Sequence, residues 1–140
     1  MTRTTATTVQ WVQSLYDAFA RGDVGTVVAA MADDIEWSEA EGNPWYLGHP
    51  FTGPQQVVEG VFARIGSEFQ DFRLEIDRFL ADGDTVVALG RYHATSHRAT
   101  GRPLEAQFAH VWDVRDGELV RFQQYTDTRQ WAAVMGEGGS

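Results

Sequence analysis

The residues best suited to acid–base chemistry in this sequence are a glutamate and an arginine–histidine pair. Glu39 follows Trp37 with the two-residue spacing of a β-strand, so both side chains share one face of that strand. If this face lines a pocket, burial raises the pKa of the Glu39 carboxyl, as a general base requires. Arg91 and His93 alternate in the same way on a later strand. There an internal arginine would hold an anion or an enolate, and an internal histidine would carry protons.

Each candidate also has a purely structural interpretation. Glu39 stands between Glu36 and Glu41, so it could be one solvated carboxylate among several. Arg91 could form a structural ion pair with a carboxylate. Gln124 is expected inside the fold, where it either orients a substrate or a water, or completes a hydrogen-bonded core network.

Missing residue types narrow the chemistry further. The chain contains no cysteine and no lysine, which excludes disulfides, thiolate nucleophiles, Schiff bases and lysine-dependent phosphate loops. His93 and His97 are four residues apart, and on a strand that spacing separates them by ~13 Å, too far for one metal ion. We therefore expect catalysis without a cofactor and without a metal.

Charge and hydropathy limit the partners. The 140-residue chain has a formal net charge of −9, and all 11 of its basic residues are arginine. An acidic chain without a basic cluster binds phosphate backbones poorly, so we expect no nucleic-acid partner. No apolar run approaches the roughly 18 residues of a membrane span, and no basic start precedes an apolar stretch. We expect a cytoplasmic protein with no membrane partner that acts on a small molecule.

The elements that must position these residues follow from periodicity. Apolar residues recur at helical spacing over 9–19, over 24–31 and from Pro54 onward, whereas residues 35–39 alternate as a strand. The glycine- and proline-rich residues 40–53 predict a loop.

From Phe72 onward the chain is rich in strand patterns, with two-residue hairpin turns at Asp82-Gly83 and Asp116-Gly117. Helices followed by an antiparallel meander indicate one α+β domain over residues 1–140, with an ordered core over roughly 8–135 and helices on one face of the sheet.

The turns also assign the strand faces. A turn at Asp82-Gly83 gathers an apolar set that should face the helices: Phe72, Leu74, Ile76, Val87 and Leu89, together with Arg91 and His93. A turn at Asp116-Gly117 places Gln124 opposite Ala109 on the pocket side. It leaves an aromatic and apolar set on the outer face: Phe108, His110, Trp112, Val114, Leu119 and Tyr125. Because such a patch is unusual on a soluble monomer, we expect a homodimer through the outer face of the sheet.

Other residues frame the predicted pocket. Phe62, on the third helix, is expected to bound it together with Trp37. Trp45, Tyr46 and His49 lie in the loop after Glu39, where they form either a rim that contacts an apolar ligand or a loop anchored by its own aromatic rings.

One carboxylate has a structural role instead. Asp127 immediately precedes a short terminal helix, and an N-cap accounts for it without chemistry.

These residues resemble the nuclear transport factor two-like superfamily, which includes ketosteroid isomerases, limonene-type epoxide hydrolases and SnoaL-like polyketide cyclases. The resemblance is carried by the helix end Tyr16-Asp17-Ala18-Phe19-Ala20-Arg21-Gly22-Asp23, by Ala32-Asp33-Asp34, by Gly53-Pro54, and by Asp116-Gly117 followed by Tyr125-Thr126-Asp127. It implies a curved antiparallel sheet whose concave face carries the N-terminal helices around a cone-shaped pocket.

Functional positions carry over unevenly from that superfamily. The isomerase base corresponds to Glu39, whereas the isomerase's oxyanion donors fall near Leu15 and Ala109, neither of which can donate. The arginine–aspartate pair of the epoxide hydrolases corresponds to Arg91 and His93, and their second aspartate corresponds to Gln124. Their tyrosine–asparagine pair corresponds to Trp37 and Glu39, so that of these polar groups only the arginine, at Arg91, is kept.

We therefore expect an enzyme that performs cofactor-free acid–base chemistry next to a carbonyl: an isomerisation, a cyclisation or a lyase step on a largely apolar substrate. In this hypothesis Glu39 moves a proton, Arg91 and His93 stabilise an oxyanion, and the substrate contacts Trp37, Tyr46, Phe62 and Gln124. The alternatives are a non-catalytic small-ligand-binding domain and an epoxide hydrolase in which Glu39 and His93 activate water together.

Overall fold

The computed structural model describes residues 5–136, with side chains described from Thr7 onward. Its helices are α1 (Thr5–Ala20), α2 (Val24–Ala29), α3 (Pro54–Val57), a π-helical turn (Val58–Phe62), α4 (Ala63–Glu68) and α5 (Thr128–Val134). The predicted second helix is two residues shorter than its pattern, because Met31 already belongs to the first strand. Asp127 accepts a hydrogen bond from Gln130 N and caps α5, as predicted.

The strands are β1 (Met31–Ser38), β2 (Phe51–Thr52), β3 (Phe69–Gln70), β4 (Arg73–Asp82), β5 (Thr85–Ala94), β6 (Ser96–His97), β7 (Leu104–Arg115) and β8 (Glu118–Thr126). Six of them form one curved sheet in the order β2-β1-β8-β7-β5-β4, while β3 and β6 pair separately. All neighbours are antiparallel except β1 and β8. The α+β prediction is therefore confirmed. We call the face of the sheet that packs against the helices the inner face.

The first hairpin differs from its prediction in two places. Its turn residues are Gly83 and Asp84, one position later than expected, because Asp82 pairs with Thr85. A β-bulge then adds Asp77 to β4, so that pairing shifts between Ile76 and Arg78. The inner residues of β5 are consequently Val86, Ala88, Gly90, Tyr92 and Ala94.

This register corrects the placement of Arg91 and His93. Both alternate with the buried Tyr92 and Ala94, so they lie on the outer face and not in the pocket. Arg91 is exposed, and His93 is half-buried.

The second hairpin turns at Asp116-Gly117, as predicted, but a bulge at Val120 changes the register beyond it. Trp112 pairs with Phe122, and His110 pairs with Gln124, so all four side chains lie on the inner face. The prediction had placed Trp112 and His110 outside.

This register also removes the predicted outer patch. Phe108, Trp112, Val114 and Leu119 are buried in the core, and of the aromatic and apolar set only Tyr125 is exposed, at 58%. The predicted homodimer was expected to form through that patch, and the structure therefore provides no such surface for it.

The inner face packs against α1 and the α3–α4 segment through one aromatic-rich core. Trp37 contacts Phe122 and Trp112 with ring centroids 3.9 and 5.5 Å apart, and Phe62 completes the cluster from the helical side. Within residues 5–136, no helix is long and apolar enough to cross a membrane.

Candidate active site

A narrow cavity lies between the inner face of the sheet and the helices. Its volume is about 70 Å³, several times what one water molecule requires. The walls are almost entirely apolar, and α1, the α3–α4 segment and the central strands all contribute to them. Its polar or ionisable lining side chains are Tyr16, Trp37, Glu39, Trp45, Tyr92, His110, Trp112, Gln124 and Trp131.

Glu39 is the carboxylate of this cavity. It follows β1 directly and is only 4% exposed. Its Oε2 accepts a hydrogen bond from Trp37 Nε1 at 3.3 Å. Burial raises the pKa of the Glu39 carboxyl to about 7, although the Trp37 hydrogen bond and the positive charge of Arg64 both lower it. Near neutral pH the carboxyl therefore exists in both its acidic and its basic form.

Gln124 is held in one orientation on β8. Its Oε1 accepts hydrogen bonds from Ala40 N and from Asn43 Nδ2, both at 3.1 Å. The other end of the amide must then be the donor, and Gln124 Nε2 donates to the Tyr92 hydroxyl at 2.9 Å. The amide thus joins the loop beside Glu39 to the centre of the sheet.

A tyrosine–histidine–tyrosine chain continues from this point. The Tyr92 hydroxyl lies 2.5 Å from His110 Nε2, and the Tyr16 hydroxyl lies 2.6 Å from His110 Nδ1. Trp112 Nε1 donates to the Tyr16 hydroxyl at 2.8 Å. Four elements supply these groups, since Tyr16 is on α1, Tyr92 on β5, His110 and Trp112 on β7, and Gln124 on β8.

The tyrosine–histidine–tyrosine chain is uncharged at neutral pH. Burial lowers the pKa of His110 to about 3, so its imidazole is neutral. Burial also raises the pKa of the Tyr16 hydroxyl, and that of the Tyr92 hydroxyl, well above the ordinary value for a phenol. The cavity therefore contains one carboxyl that titrates near neutrality beside a set of neutral hydrogen-bonding groups.

Four of the seven predicted site residues meet in this cavity: Glu39, Trp37, Phe62 and Gln124. Tyr46 does not line it. Tyr46 is 38% exposed and borders a separate groove on the protein surface, together with His49 and Tyr125. From the same loop Trp45 is buried against Phe69 and Trp131 and does line the cavity.

Arg91 and His93 are absent from the cavity lining because they lie on the opposite face of the sheet. His93 Nδ1 is 2.5 Å from Glu105 Oε2, and His93 Nε2 is 3.8 Å from Glu75 Oε2. The alternative that the sequence left open was an ion pair of Arg91, but among the described residues it is His93, and not Arg91, that lies within 4 Å of carboxylates. Because Glu39 and His93 lie on different faces, they cannot activate one water together as a rebuilt epoxide hydrolase would require.

Sequence reasoning missed Tyr16, Tyr92 and His110. The resemblance had placed the oxyanion donors near Leu15 and Ala109, one residue before Tyr16 and His110 in each case. The available signal was the alternation of large side chains along β7, where Phe108, His110, Trp112 and Val114 all share one face.

No group of three or more His, Asp or Glu side chains among residues 5–136 is arranged to hold a metal ion.

Comparison with known proteins places this geometry in a family. The family model of the SnoaL-like domain matches residues 12–122, which contain Tyr16, Glu39, Phe62, Tyr92 and His110. A comparison of the sequence with curated proteins returned no match.

Solved structures share the fold along nearly the whole chain. An NTF2-like protein from Burkholderia thailandensis is 36% identical with a TM-score of 0.85, over 91% of this chain and 96% of that chain. TerC, co-crystallised with polyporic acid, is 27% identical with a TM-score of 0.79, over 93% of this chain and 98% of that chain. A putative SnoaL-like polyketide cyclase from Jannaschia sp. is 17% identical with a TM-score of 0.76, over 91% of this chain and 88% of that chain, a likeness in fold alone.

Proposed function

This chain belongs to the SnoaL-like domain family, and from that premise and its buried glutamate we propose that it is an enzyme of cofactor-free proton transfer. Its substrate is a compact, largely apolar compound with an enolisable carbonyl group. The reaction is an isomerisation, an aldol-type cyclisation or a lyase step next to that carbonyl. The observation that carries the proposal is Glu39, a carboxyl that is 4% exposed in an apolar cavity and has a pKa raised to about 7.

A carboxyl with this pKa suits both halves of a proton transfer. In its charged form Glu39 can remove a proton from the carbon next to a carbonyl, and in its protonated form it can return that proton to another atom. Little water competes in a cavity of about 70 Å³, so the interaction between carboxylate and substrate is not screened as it is at the surface. Ordinary general acid–base catalysis of this kind contributes about 10²–10⁴-fold in rate.

The tyrosine hydroxyls take the role that the sequence had assigned to Arg91 and His93. As charge develops on the carbonyl oxygen, it requires a fixed hydrogen-bond donor that faces it. Tyr16 and Tyr92 both line the cavity and are both held in place by His110. Gln124 then acts on the substrate indirectly, by fixing the Tyr92 hydroxyl.

The cavity also supports the class of substrate. Trp37, Phe62 and Phe122 give it flat aromatic walls, which favour a small, flat molecule. TerC, which is 27% identical to this chain, was co-crystallised with polyporic acid, so a protein of this fold can bind a small organic compound.

The test measures proton exchange at carbon. Acetone and butanone, which are small enough for a cavity of about 70 Å³, are incubated with the protein in heavy water, and deuterium uptake next to the carbonyl is followed by NMR. We expect the wild type to accelerate uptake into at least one ketone, and Glu39→Gln to lose about 100-fold or more of that rate. Glu41→Gln, which changes an exposed neighbouring glutamate, should keep the wild-type rate.

Equal rates for the wild type and Glu39→Gln would refute Glu39 as the base. If both proteins bind the ketones, as judged by thermal shift, but neither accelerates exchange, the chain is the non-catalytic binding domain that the sequence left open.

A further inference from the structure

The hydrogens of the tyrosine–histidine–tyrosine chain can be counted. Tyr16, neutral His110 and Tyr92 together own three exchangeable protons, one on each group. Only two hydrogen bonds join them, one at Nδ1 and one at Nε2 of the ring. One proton is therefore left over, and it must sit on a tyrosine hydroxyl that points away from the ring.

Neither of the groups beyond the two tyrosines, Trp112 and Gln124, can accept the extra proton in a hydrogen bond. Trp112 Nε1 can only donate a hydrogen bond, so the Tyr16 hydroxyl must accept that bond. The Gln124 amide is fixed by Ala40 N, so its Nε2 also donates and Tyr92 must accept. No other residue in the described part of the chain bonds to either hydroxyl, and both tyrosines line the cavity. The left-over proton is thus presented to the cavity.

Two arrangements satisfy this count. When Nδ1 carries the ring proton, Tyr92 donates to Nε2 and Tyr16 presents its hydroxyl proton to the cavity. When Nε2 carries it, Tyr16 donates to Nδ1 and Tyr92 presents the proton instead. The two arrangements differ only in the tautomer of His110, and the ring stays neutral in both.

We propose that Tyr92, His110 and Tyr16 form a neutral proton relay that takes up a proton at Tyr92 and delivers one at Tyr16, so that an enolisable ketone leaves the site as a neutral enol. This inference rests on the proposed function, since it assigns the return path of the proton that Glu39 removes. Tyr92 is the end that is coupled to Glu39, because, in addition to burial, the charge of Glu39 contributes to the raised pKa of Tyr92 and not to that of Tyr16. The Gln124 side chain also bonds both to Tyr92 and to Ala40, the residue after Glu39.

Every proton of the step is accounted for. The Glu39 carboxylate removes a proton from the carbon next to the carbonyl, and the electron pair moves to form a carbon–carbon double bond. The carbonyl oxygen takes the Tyr16 proton, the Nδ1 proton of His110 moves to Tyr16, and the Tyr92 proton moves to Nε2. Tyr92 is then reprotonated from Glu39, which becomes a carboxylate again. The net change is ketone to enol, and the ring ends in its other tautomer.

The relay defines the ligand more narrowly than an oxyanion donor alone would. The two hydroxyls are roughly 7 Å apart at most, since two hydrogen bonds of 2.6 and 2.5 Å and the width of one imidazole ring join them. A suitable substrate is a compact carbonyl compound whose enol is a stable product, such as a small diketone. Permanently charged ligands are excluded, because the relay offers no counter-charge.

Nitrogen NMR of the His110 side chain tests the proton count directly and requires no substrate. In the wild type near pH 6 we expect a neutral ring with one protonated and one bare nitrogen. In Tyr92→Phe, Gln124 Nε2 can donate to Nε2 of the His110 ring, and the ring can donate from Nδ1 to Tyr16. The ring proton should therefore be fixed on Nδ1. In Tyr16→Phe, Trp112 Nε1 can donate to Nδ1, which should fix the proton on Nε2.

Opposite tautomers in the two variants support the relay. A ring protonated on both nitrogens, or the same tautomer in both variants, overturns it. Since the wild-type spectrum alone reports the charge of the ring, the relay can be refuted even if a variant does not fold.

A second measurement uses the ketone exchange assay. A relay needs both ends, so Tyr16→Phe and Tyr92→Phe should each cost at least about 10-fold in rate, and the double variant should cost no more than either one. If only one tyrosine matters, or if the two losses multiply, each hydroxyl acts alone and the relay is wrong. A wild type without exchange activity would instead remove the proposed function, while the NMR result would still decide the proton count.

Discussion

Replacing the buried carboxyl with its neutral amide, by Glu39→Gln, should stabilise the folded protein at alkaline pH and leave it nearly unchanged at acidic pH. The ordinary pKa of a glutamate is 4.5, and burial raises that of Glu39 to about 7. Between these values the folded protein keeps a proton that the unfolded chain has lost, so the free energy of unfolding falls as pH rises. The stability that depends on Glu39 is complete below pH 4.5 and is lost as pH rises through about 7.

The size of the effect follows from the same two pKa values. Since one pKa unit corresponds to about 1.4 kcal/mol, a charged Glu39 costs the folded protein about 3 kcal/mol. Between about pH 5 and about pH 8.5, the stability of Glu39→Gln relative to the wild type should therefore rise by about 2–3 kcal/mol. The amide oxygen can still accept the hydrogen bond that Trp37 Nε1 gives to the carboxylate.

Urea unfolding followed by tryptophan fluorescence measures this difference, with Glu41→Gln as the control. Glu41 is exposed, so its variant should follow the wild type at every pH. All other titrating groups are common to the proteins and cancel in the comparison. A constant stability difference between Glu39→Gln and the wild type across this pH range would show that Glu39 titrates normally, and the proposed base would then lack its main support.

Other predictions concern the elements that hold the site. Trp37→Phe removes a hydrogen bond to the carboxylate, so the pKa of Glu39, measured by carbon NMR, should rise above its wild-type value; an unchanged or lower pKa would contradict this. Gly90→Ala should destabilise the protein by about 3 kcal/mol in urea unfolding, because the added Cβ would lie 2.1 Å from a carbonyl oxygen of the neighbouring strand. Its control, Gly66→Ala, adds a methyl group to an open helical position and should stabilise by about 0.5–1 kcal/mol. Asp127→Ala should cost about 1 kcal/mol of stability as a lost N-cap, whereas Asp127→Asn should cost little; equal losses in both would exclude the capping role.

The fold and the carboxylate of the site could be predicted from local patterns. Trp37 and Glu39 share a face because a strand alternates, and burial of that face raises the glutamate pKa as expected. Phe62 and Gln124 also lie in the cavity. Each of these predictions depends only on the periodicity of one element and on which of its faces is apolar.

The remaining site residues depend on strand registers that local patterns do not contain. The bulges at Asp77 and Val120 each add one residue that looks like any other strand residue, yet each moves every later pair by one position. Gln124 was correctly expected on the pocket side, but the residue opposite it is His110 and not Ala109. His110 was therefore assigned to the wrong face by an error of one residue. Pair assignments across a hairpin are reliable only as far as its first bulge.

A single charge in an apolar cavity accounts for the difference between the predicted and the observed site. An arginine cannot lose its proton inside a protein, and burying it would add a permanent charge to a narrow space that contains little water. Arg91 and His93 instead lie on the outer face, where His93 meets the carboxylates of Glu75 and Glu105. The cavity uses phenol, imidazole and amide groups that stay neutral, so the only charge that must be formed or removed is the one on Glu39. Neutral donors also leave the pKa of Glu39 high. A buried cation beside Glu39 would favour its charged form, lower its pKa and so make the carboxylate a weaker base. The same physical condition thus excludes the predicted arginine from the cavity and makes hydroxyl donors the appropriate partners of the buried glutamate.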